Sequence, residues 1–500
     1  MITYKKLPFE LYQGTFELPN SEAHLAFSKV RNEEPAFLFE SKPTSKIYGR
    51  FSLIGIDPIL KISGKGSHFE IRVLTPRGEF FLKDLSQDKK LLSLCDDYDF
   101  GKASFSGTMS PAKETIEEGE RAKQKNVGQV LRCTLELFAM KEVELFGLYG
   151  AIAYDFIRLF EDLEERLAPN EESDFEFFLF DTFIHFDLIR EKTKIVLFRK
   201  EKSEIPKTIE EIQEKLKAKP TKKSYTLSQK KFLLQKKEYE ELVRKAKNYA
   251  KKGEIFEVVF SNKLTANFSG DPFSLYLAYR DSNPSPYLFF FDLGKEQLVG
   301  ASPEMMVRVE GRTAHLRPIS GTIKRDADPI QDHENLIKLL SAPKERAELD
   351  MLIDLGRNDL SRVCKPGIKL DEYRSIEKYS KVMHTIAHLS GELKDECSAF
   401  DALLACLNAG TLTGAPKVAA MKLIEKHEKV RRGFYGGVVG YLTFSGEMDT
   451  AMIIRTAHIK GNTLSFQMGA TLLYHSDPEQ EYQETMHKAA AFLQLFNVPL

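Results

Sequence analysis

Hydrophobic and polar positions divide the chain into two unlike regions. Through residues 1–200, short runs that alternate or stay apolar recur at 36–40, 51–62, 68–74, 78–83, 176–188 and 193–199, separated by turns rich in Gly, Pro and Asp. A two-residue period puts one face of a strand inside, so this region reads as mainly β with a few helices. FLFESKPTSKIYGRFSLIGIDP (37–58) is its most patterned stretch. There Glu40 and Ser41 close an apolar run, a polar pair suited either to bonding a small ligand or to capping the next turn. GLYGAIAYDFIRLFEDL (147–163) reads as a glycine-punctuated strand entering a helix, with Arg158 and Glu161 spaced to pair. Residues 200–252 are highly charged and mostly helical in pattern, with breaks at Pro206 and Pro220. A charge run of this kind is a solvated face or a linker. The boundary is set near 225, between an N-terminal region of residues 1–225 and a C-terminal region of residues 226–500.

The C-terminal region opens with a helix over 237–252, stopped by Gly253, and a strand over 254–264. A Pro-rich turn at 283–287 enters a buried strand, and RPISGT (317–322) ends another in a turn whose amides suit a carboxylate. Apolar spacing predicts a helix over 344–364, with Glu345 and Glu348 on one face. The last helix, 478–496, starts with Asp477 as N-cap, Pro478 at the first helical position and Gln480 in a capping-box pattern, and Glu481 and Glu484 share a face. Paired carboxylate oxygens suit Mg²⁺, although each pair taken alone fits an ordinary solvated face equally well. The runs 436–444, 450–459 and 463–473 predict an antiparallel meander, and its two-residue period puts Ile453, Arg455 and Ala457 on one face. An arginine on an apolar face needs an anion, supplied by a ligand or by an acid from elsewhere in the fold. His384 lies in an apolar stretch, as a core residue or a functional one. Glycines at 410, 414, 433, 436, 437 and 440 cluster around one helix, a sign of backbone that approaches a ligand.

Composition narrows the classes. Lys+Arg numbers 72 and Asp+Glu 73, so no basic field recruits nucleic acid. The five cysteines have neither disulfide-framework nor zinc-ligand spacing. No apolar run reaches membrane-spanning length and the N-terminus lacks a signal-type apolar region, so a cytoplasmic protein without a membrane partner is expected. GTLTGAPK (410–417) is not a phosphate-binding Walker loop, because Lys417 follows Pro416 and precedes Val418.

Eleven motifs then occur in one order: LFES (38–41), GEIFEVV (253–259), NPSPY (283–287), SPEM (302–305), RPISGT (317–322), MLIDLGRNDL (351–360), YSKVMH (379–384), GTLTGAPK (410–417), RRGFYGGVVGY (431–441), MDTAMIIRT (448–456) and EYQET (481–485). In this order the chain resembles the chorismate-utilising enzymes, and within them most closely the large subunits of anthranilate synthases. The resemblance implies an α+β fold in which large antiparallel sheets form a sandwich with helices packed outside. It implies Mg²⁺ as cofactor, held by Glu348 and Glu484 with Glu345 and Glu481 in support. Chorismate contacts fall on Gly321, Thr322, Tyr435, Arg455, Gly469, Ala470 and Thr471. His384 and Thr411 take the catalytic positions, His384 helping the C4 hydroxyl leave as water. Ammonia adds at C2 and pyruvate is eliminated, giving anthranilate. Ser41, Pro286, Tyr287 and Leu288, beside Glu40, resemble the family's tryptophan feedback pocket.

Three positions depart from the family pattern. Glu257 stands where isochorismate-forming members carry a water-activating lysine and many others a glutamine. Ser320 stands where aminodeoxychorismate synthases, the alternative reading, carry a nucleophilic lysine. Thr471 replaces a glycine. None of the five cysteines lies in a glutaminase elbow and no room remains after 490, so the expected partner is a separate glutamine amidotransferase subunit, in a heterotetramer.

Overall fold

The computed structural model describes residues 1–41, 49–111, 123–141, 143–220, 223–379 and 382–497. Residues 42–48 of the patterned stretch 37–58, and Ser380 and Lys381 of the YSKVMH motif, lie outside the described residues.

Among the described residues, two antiparallel sheets of 13 strands each carry the fold. The main path of the first runs Ile2–Lys6, Tyr12–Leu18, Lys192–Arg199, Thr182–Asp187, Phe51–Ile56, Ala36–Glu40, Tyr287–Asp292, Glu296–Ser302, Thr456–Lys460, Thr463–Leu473, Glu257–Gly270 and Tyr225–Phe232. That of the second runs Ile319–Lys324, Val382–Glu392, Thr313–Leu316, Met305–Glu310, Met448–Met452, Val438–Thr443, Gly147–Ile152, Phe175–Leu179, Leu60–Lys65, His68–Val73, Ser104–Thr108 and Asp97–Phe100. Each sheet draws strands from both sides of residue 225: Ala36–Glu40 pairs with Tyr287–Asp292, and Gly147–Ile152 with Val438–Thr443.

The main core fills the space between the sheets. Phe37 of one sheet stacks on Tyr149 of the other with ring centroids 4.7 Å apart. Neighbouring Leu38 points the opposite way, into a second cluster formed with helices Ala23–Val30, Glu204–Lys217, Pro272–Ser282 and Pro478–Leu493. A third cluster joins helices Lys236–Lys251 and Lys417–His427 to the long strand Glu257–Gly270. Strands covered on both faces have no polar face to show, which is why residues 36–39 read as one apolar run. The fold is the expected α+β sandwich with helices outside. No helix among the described residues is long and apolar enough to cross a membrane.

Several expected elements divide differently. The run 51–62 is two strands, Phe51–Ile56 in the first sheet and Leu60–Lys65 in the second. The run 176–188 splits likewise into Phe175–Leu179 and Thr182–Asp187. The expected meander is two hairpins in different sheets: Val438–Thr443 pairs with Met448–Met452, and Thr456–Lys460 with Thr463–Leu473. Interior apolar runs look alike whichever sheet they belong to, so these crossings leave no mark in hydropathy.

Within 78–83, expected as a strand, the chain is helical over Glu79–Gln87, and buried Phe81, Leu82 and Leu85 have helical spacing. Pro206 sits in the first turn of helix Glu204–Lys217, where a proline starts a helix rather than breaking it. Tyr225–Phe232, inside the charged stretch, is an edge strand with a bulge between Ser228 and Lys231. Its lysines suit an edge that must not pair with another chain. Arg158 bonds Asp155 and Glu425 from a short 3-10 turn, Tyr154–Leu159.

Candidate active site

The crossings between sheets build the site. One lies between strands Glu296–Ser302 and Met305–Glu310 and carries Glu304; the other lies between Met448–Met452 and Thr456–Lys460 and carries Arg455. They run side by side. The Met452 N–H donates to the Glu304 carbonyl at 3.1 Å, and the Ala301 N–H to the Arg455 carbonyl at 3.1 Å. Arg455 has φ of +50°, so it lies in no strand and shares no two-residue face with Ile453 and Ala457. The expectation of an arginine on a strand face is corrected here: a left-handed residue at a sheet crossing reaches the end of the inter-sheet space.

Both crossings border a cavity of about 890 Å³. Of the expected residues, Gly321, Thr322, His384, Thr411, Tyr435, Arg455, Gly469 and Thr471 line it, as do Glu345, Glu348 and Glu484. The exceptions are Ala470 and Glu481. Ala470 faces the outer core, and its N–H donates to the Tyr239 hydroxyl at 3.2 Å, so a contact from this residue is not supported. Its neighbours turn the other way because side chains alternate along Thr463–Leu473. Glu481 is buried in the first turns of the same helix as Glu484.

Helix Pro343–Ser361 presents Glu345 and Glu348, and helix Pro478–Leu493 presents Glu484. The second helix begins as expected, with the Asp477 carboxylate accepting from the Glu479 and Gln480 N–H groups. Lys488, one turn after Glu484, bonds it at 2.7 Å and donates to the Gly469 carbonyl at 2.9 Å. Gly321 has φ of +67°, and a Cβ there would lie 2.8 Å from the Glu345 carboxylate. The turn expected at RPISGT is instead a bulge between Ser320 and Thr322 in strand Ile319–Lys324, and only glycine lets that bulge pass this close to the acidic helix.

His384 stands on strand Val382–Glu392 with Nδ1 2.9 Å from the Thr322 hydroxyl and 3.3 Å from the Gly321 carbonyl. A carbonyl only accepts, so the ring proton is assigned to Nδ1 and the lone pair to Nε2. Burial, opposed by that carbonyl and reinforced by Arg455, pushes the imidazole down to about 4. A group held that low is a neutral imidazole near pH 7.

A second acid in the cavity, Glu304, was passed over in the sequence although SPEM was among the motifs. Its carboxyl is 7% exposed and accepts from the Thr411 hydroxyl at 3.1 Å. Burial pushes it up to about 8, against the Thr411 hydrogen bond and the Lys488 charge. Glu257 also lines the cavity, and burial together with Glu348 pushes it up to about 8.

No hydrogen bond or ion pair among the described residues engages the Arg455 guanidinium. Burial lowers it from its ordinary value, against Tyr279, Tyr435 and Glu484. With Glu257 and Glu304 neutral, four formal carboxylates (Glu345, Glu348, Glu479, Glu484) face Arg455 and Lys488 across the cavity. A wall with this excess of negative charge and hard oxygen donors fits a divalent cation, and Mg²⁺ matches the donor set. Among the described residues, three donor atoms come within 4.8 Å of one another at Glu172, Glu296 and His458. Glu172 and His458 border a small separate cavity that shares Tyr435 and Gln467 with the large one. An ion between the two acidic helices would therefore complete its shell with water or ligand oxygens.

A second cavity, of about 700 Å³, brings Ser41, Pro286, Tyr287 and Leu288 together. The Tyr287 hydroxyl donates to Asp449 at 2.9 Å, and Arg308 donates to the other Asp449 oxygen at 2.7 Å. The Ser41 hydroxyl oxygen is buried without a hydrogen-bond partner among the described residues. Glu40 is engaged, accepting from the Tyr276 hydroxyl at 2.5 Å and from Arg280 at 2.9 Å. Pro286 lines both cavities, and Asn283, Pro284 and Ser285 before it line the larger one.

The motif order, the sandwich and this cavity define one class of protein. A family model for chorismate binding enzymes matches residues 97–494. The chain belongs to the chorismate-binding enzyme family. It is similar to anthranilate synthase component 1 of Aquifex aeolicus, 37% identical over 372 residues, which cover 70% of this chain and 74% of that one. Against anthranilate synthase component 1 of Cereibacter sphaeroides identity is 50% over 254 residues, so the match spans only about half of either chain, 51% of each. The crystal structure of anthranilate synthase component I from Streptococcus pneumoniae superposes with a TM-score of 0.68 and 28% identity, over 90% of this chain and 92% of that one.

Proposed function

We propose that the chain is the chorismate-binding component of an anthranilate synthase, converting chorismate and ammonia to anthranilate and pyruvate. The observation that carries this reading is a guanidinium without a protein anion, Arg455, in the same cavity as a buried neutral acid, Glu304, a neutral imidazole, His384, and carboxylates from two helices. Arg455 binds a substrate carboxylate. Glu304 gives its proton to the C4 hydroxyl, which leaves as water while nitrogen bonds to C2. His384 Nε2 then takes the C2 proton as the ring aromatises and the enolpyruvyl C–O bond breaks. Thr411 holds the Glu304 carboxyl, and Thr322 holds His384. Glu348 and Glu484 would hold Mg²⁺, with Glu345 and Glu481 in support; when bound, the ion neutralises and orients the ring carboxylate.

A lysine-dependent relative is the poorer fit. Ser320 occupies the lysine position in strand Ile319–Lys324, and Lys488, the one cavity-lining lysine among the described residues, is held by Glu484 and the Gly469 carbonyl. The smaller cavity is assigned to tryptophan as feedback inhibitor, acting through residues 283–288. A glutamine amidotransferase subunit supplies ammonia, in a cytoplasmic heterotetramer, and both residues 1–225 and residues beyond 225 line the inhibitor cavity. The test is purified chain with chorismate, Mg²⁺ and ammonium at alkaline pH, followed by anthranilate fluorescence. Chorismate loss without fluorescence overturns the reading.

A further inference from the structure

Four residues that line the large cavity, Val259, Leu412, Tyr435 and Gln467, are tied to one ion pair that does not line it. The pair is Glu428 with Arg432, 7% and 4% exposed. Arg432 donates from Nε to one Glu428 oxygen at 3.1 Å and from Nη2 to the other at 2.7 Å. Nη2 also donates to the Val259 carbonyl at 2.7 Å, and Nη1 to the Leu412 carbonyl at 2.6 Å. The guanidinium carbon lies 5.6 Å from the centre of the Tyr435 ring. Glu428 also accepts from the Ser261 N–H at 2.9 Å and hydroxyl at 2.8 Å, and that hydroxyl accepts from Gln467 at 2.7 Å.

A buried ion pair adds little to stability by itself, because apolar residues of the same volume often serve as well. What they cannot supply is a planar fork with donors in fixed directions. The Leu412 carbonyl is where that fork matters. Leu412 belongs to a helix of one turn, Gly410–Thr413. A single turn does not hold itself, and its carbonyls need outside donors. The Thr411 hydroxyl, one residue before, donates to the Glu304 carboxyl. We propose that Arg432, set by Glu428, is a positioning residue that fixes the turn Gly410–Thr413 so that Thr411 meets the Glu304 carboxyl. The inference rests on the reading above, in which Glu304 is the acid. The charge of Arg432 is matched by Glu428, so it draws in no substrate anion, and that task stays with Arg455.

The test measures anthranilate formation by the full chain against pH, with chorismate, Mg²⁺ and ammonium chloride, for wild type, Arg432→Lys, Thr411→Val and their combination. Melting temperature checks that each variant is folded. The Thr411 hydrogen bond and the Lys488 charge both hold the Glu304 carboxyl down, and Arg432 reaches only the first. Loss of that bond moves the alkaline limb of activity upward, by about half a unit to one unit. Thr411→Val shows the shift directly. Arg432→Lys shows it while keeping a charge against Glu428, and the combination shifts no further than Thr411→Val. In Arg432→Lys kcat falls at least about tenfold, and KM for chorismate stays within about threefold. Exchange of both partners, Arg432→Met with Glu428→Met, removes two buried charges together and gives the same limb shift in a folded chain. An unmoved limb in either folded Arg432 variant overturns the inference alone, as does a combination whose shift is the sum of the single ones. Failure of both Arg432 variants to fold overturns it too, by making the pair structural. Wild-type chain that yields no anthranilate overturns the activity reading, and this inference with it.

Discussion

Replacing Glu304 by glutamine removes one proton and little else. The amide oxygen still accepts from Thr411, and the volume barely changes. Because burial pushes the carboxyl up to about 8 from its ordinary 4.5, the wild-type group is about 90% protonated at pH 7. A positioned general acid contributes about a hundredfold to ten-thousandfold, so kcat falls by that factor, while KM for chorismate stays within about threefold. The fall of wild-type activity above about pH 8, where Glu304 loses its proton, disappears from the variant profile. Stability supplies a second readout. Between about pH 4.5 and 8 the folded state keeps a proton that the unfolded chain has released, so stability falls as pH rises, by about 1.4 kcal/mol per unit for each such group. Wild type has two of these groups, Glu304 and Glu257, and the variant has one. The assay is anthranilate fluorescence against pH, with urea unfolding at pH 5 and 8. A variant that keeps more than a tenth of wild-type kcat together with the alkaline limb refutes the assignment of Glu304 as the acid.

Other perturbations test separate regions of the site. Gly321→Ala forces a left-handed residue to carry a Cβ, at about 1–2 kcal/mol, and presses the Glu345 carboxylate, so the melting temperature falls and half-saturation by Mg²⁺ rises. Arg455→Gln raises KM for chorismate about a hundredfold in steady-state kinetics and leaves stability unharmed, because its guanidinium has no protein anion to strand. Glu348→Ala abolishes both turnover and its dependence on added Mg²⁺. For the smaller cavity, Tyr287→Phe breaks the bond to Asp449 and weakens tryptophan binding about tenfold without changing uninhibited turnover. The chain has no tryptophan of its own, so the fluorescence of the added ligand reports that binding directly.

Much of the candidate site is legible in the chain because its motifs are local. Glu345 and Glu348 fall on one helix face by the 3.6-residue period, and Asp477 marks the start of the helix that carries Glu484. Gly321 and Thr322 stand out in the Ser-Gly-Thr of RPISGT. Glu304 is not marked in this way. An acid between Pro303 and Met305 in a buried stretch was the available signal, and it means little until the crossing that exposes it to the cavity is known. Ala470 fails for the reverse reason: it sits in the right motif, but strand alternation turns it to the other face.

By itself the sequence determined which segments are helix or strand over most of the C-terminal region, the acidic helix faces and the class of chemistry. The elements and helix faces follow from periodicity, capping and residue type, which act over a few neighbours, and the class of chemistry from the order of motifs that resembles the chorismate-utilising enzymes. Only the tertiary structure decided where an apolar run leaves one sheet for the other. Both sheets bury their facing sides, so hydropathy is the same before and after a crossing at 303–304 or 453–455. At those crossings the backbone turns Glu304 and Arg455 into one cavity, and burial makes the first a neutral acid. Burial, with Arg455 and against the Gly321 carbonyl, also keeps His384 neutral, because a proton's free energy depends on every group that surrounds it.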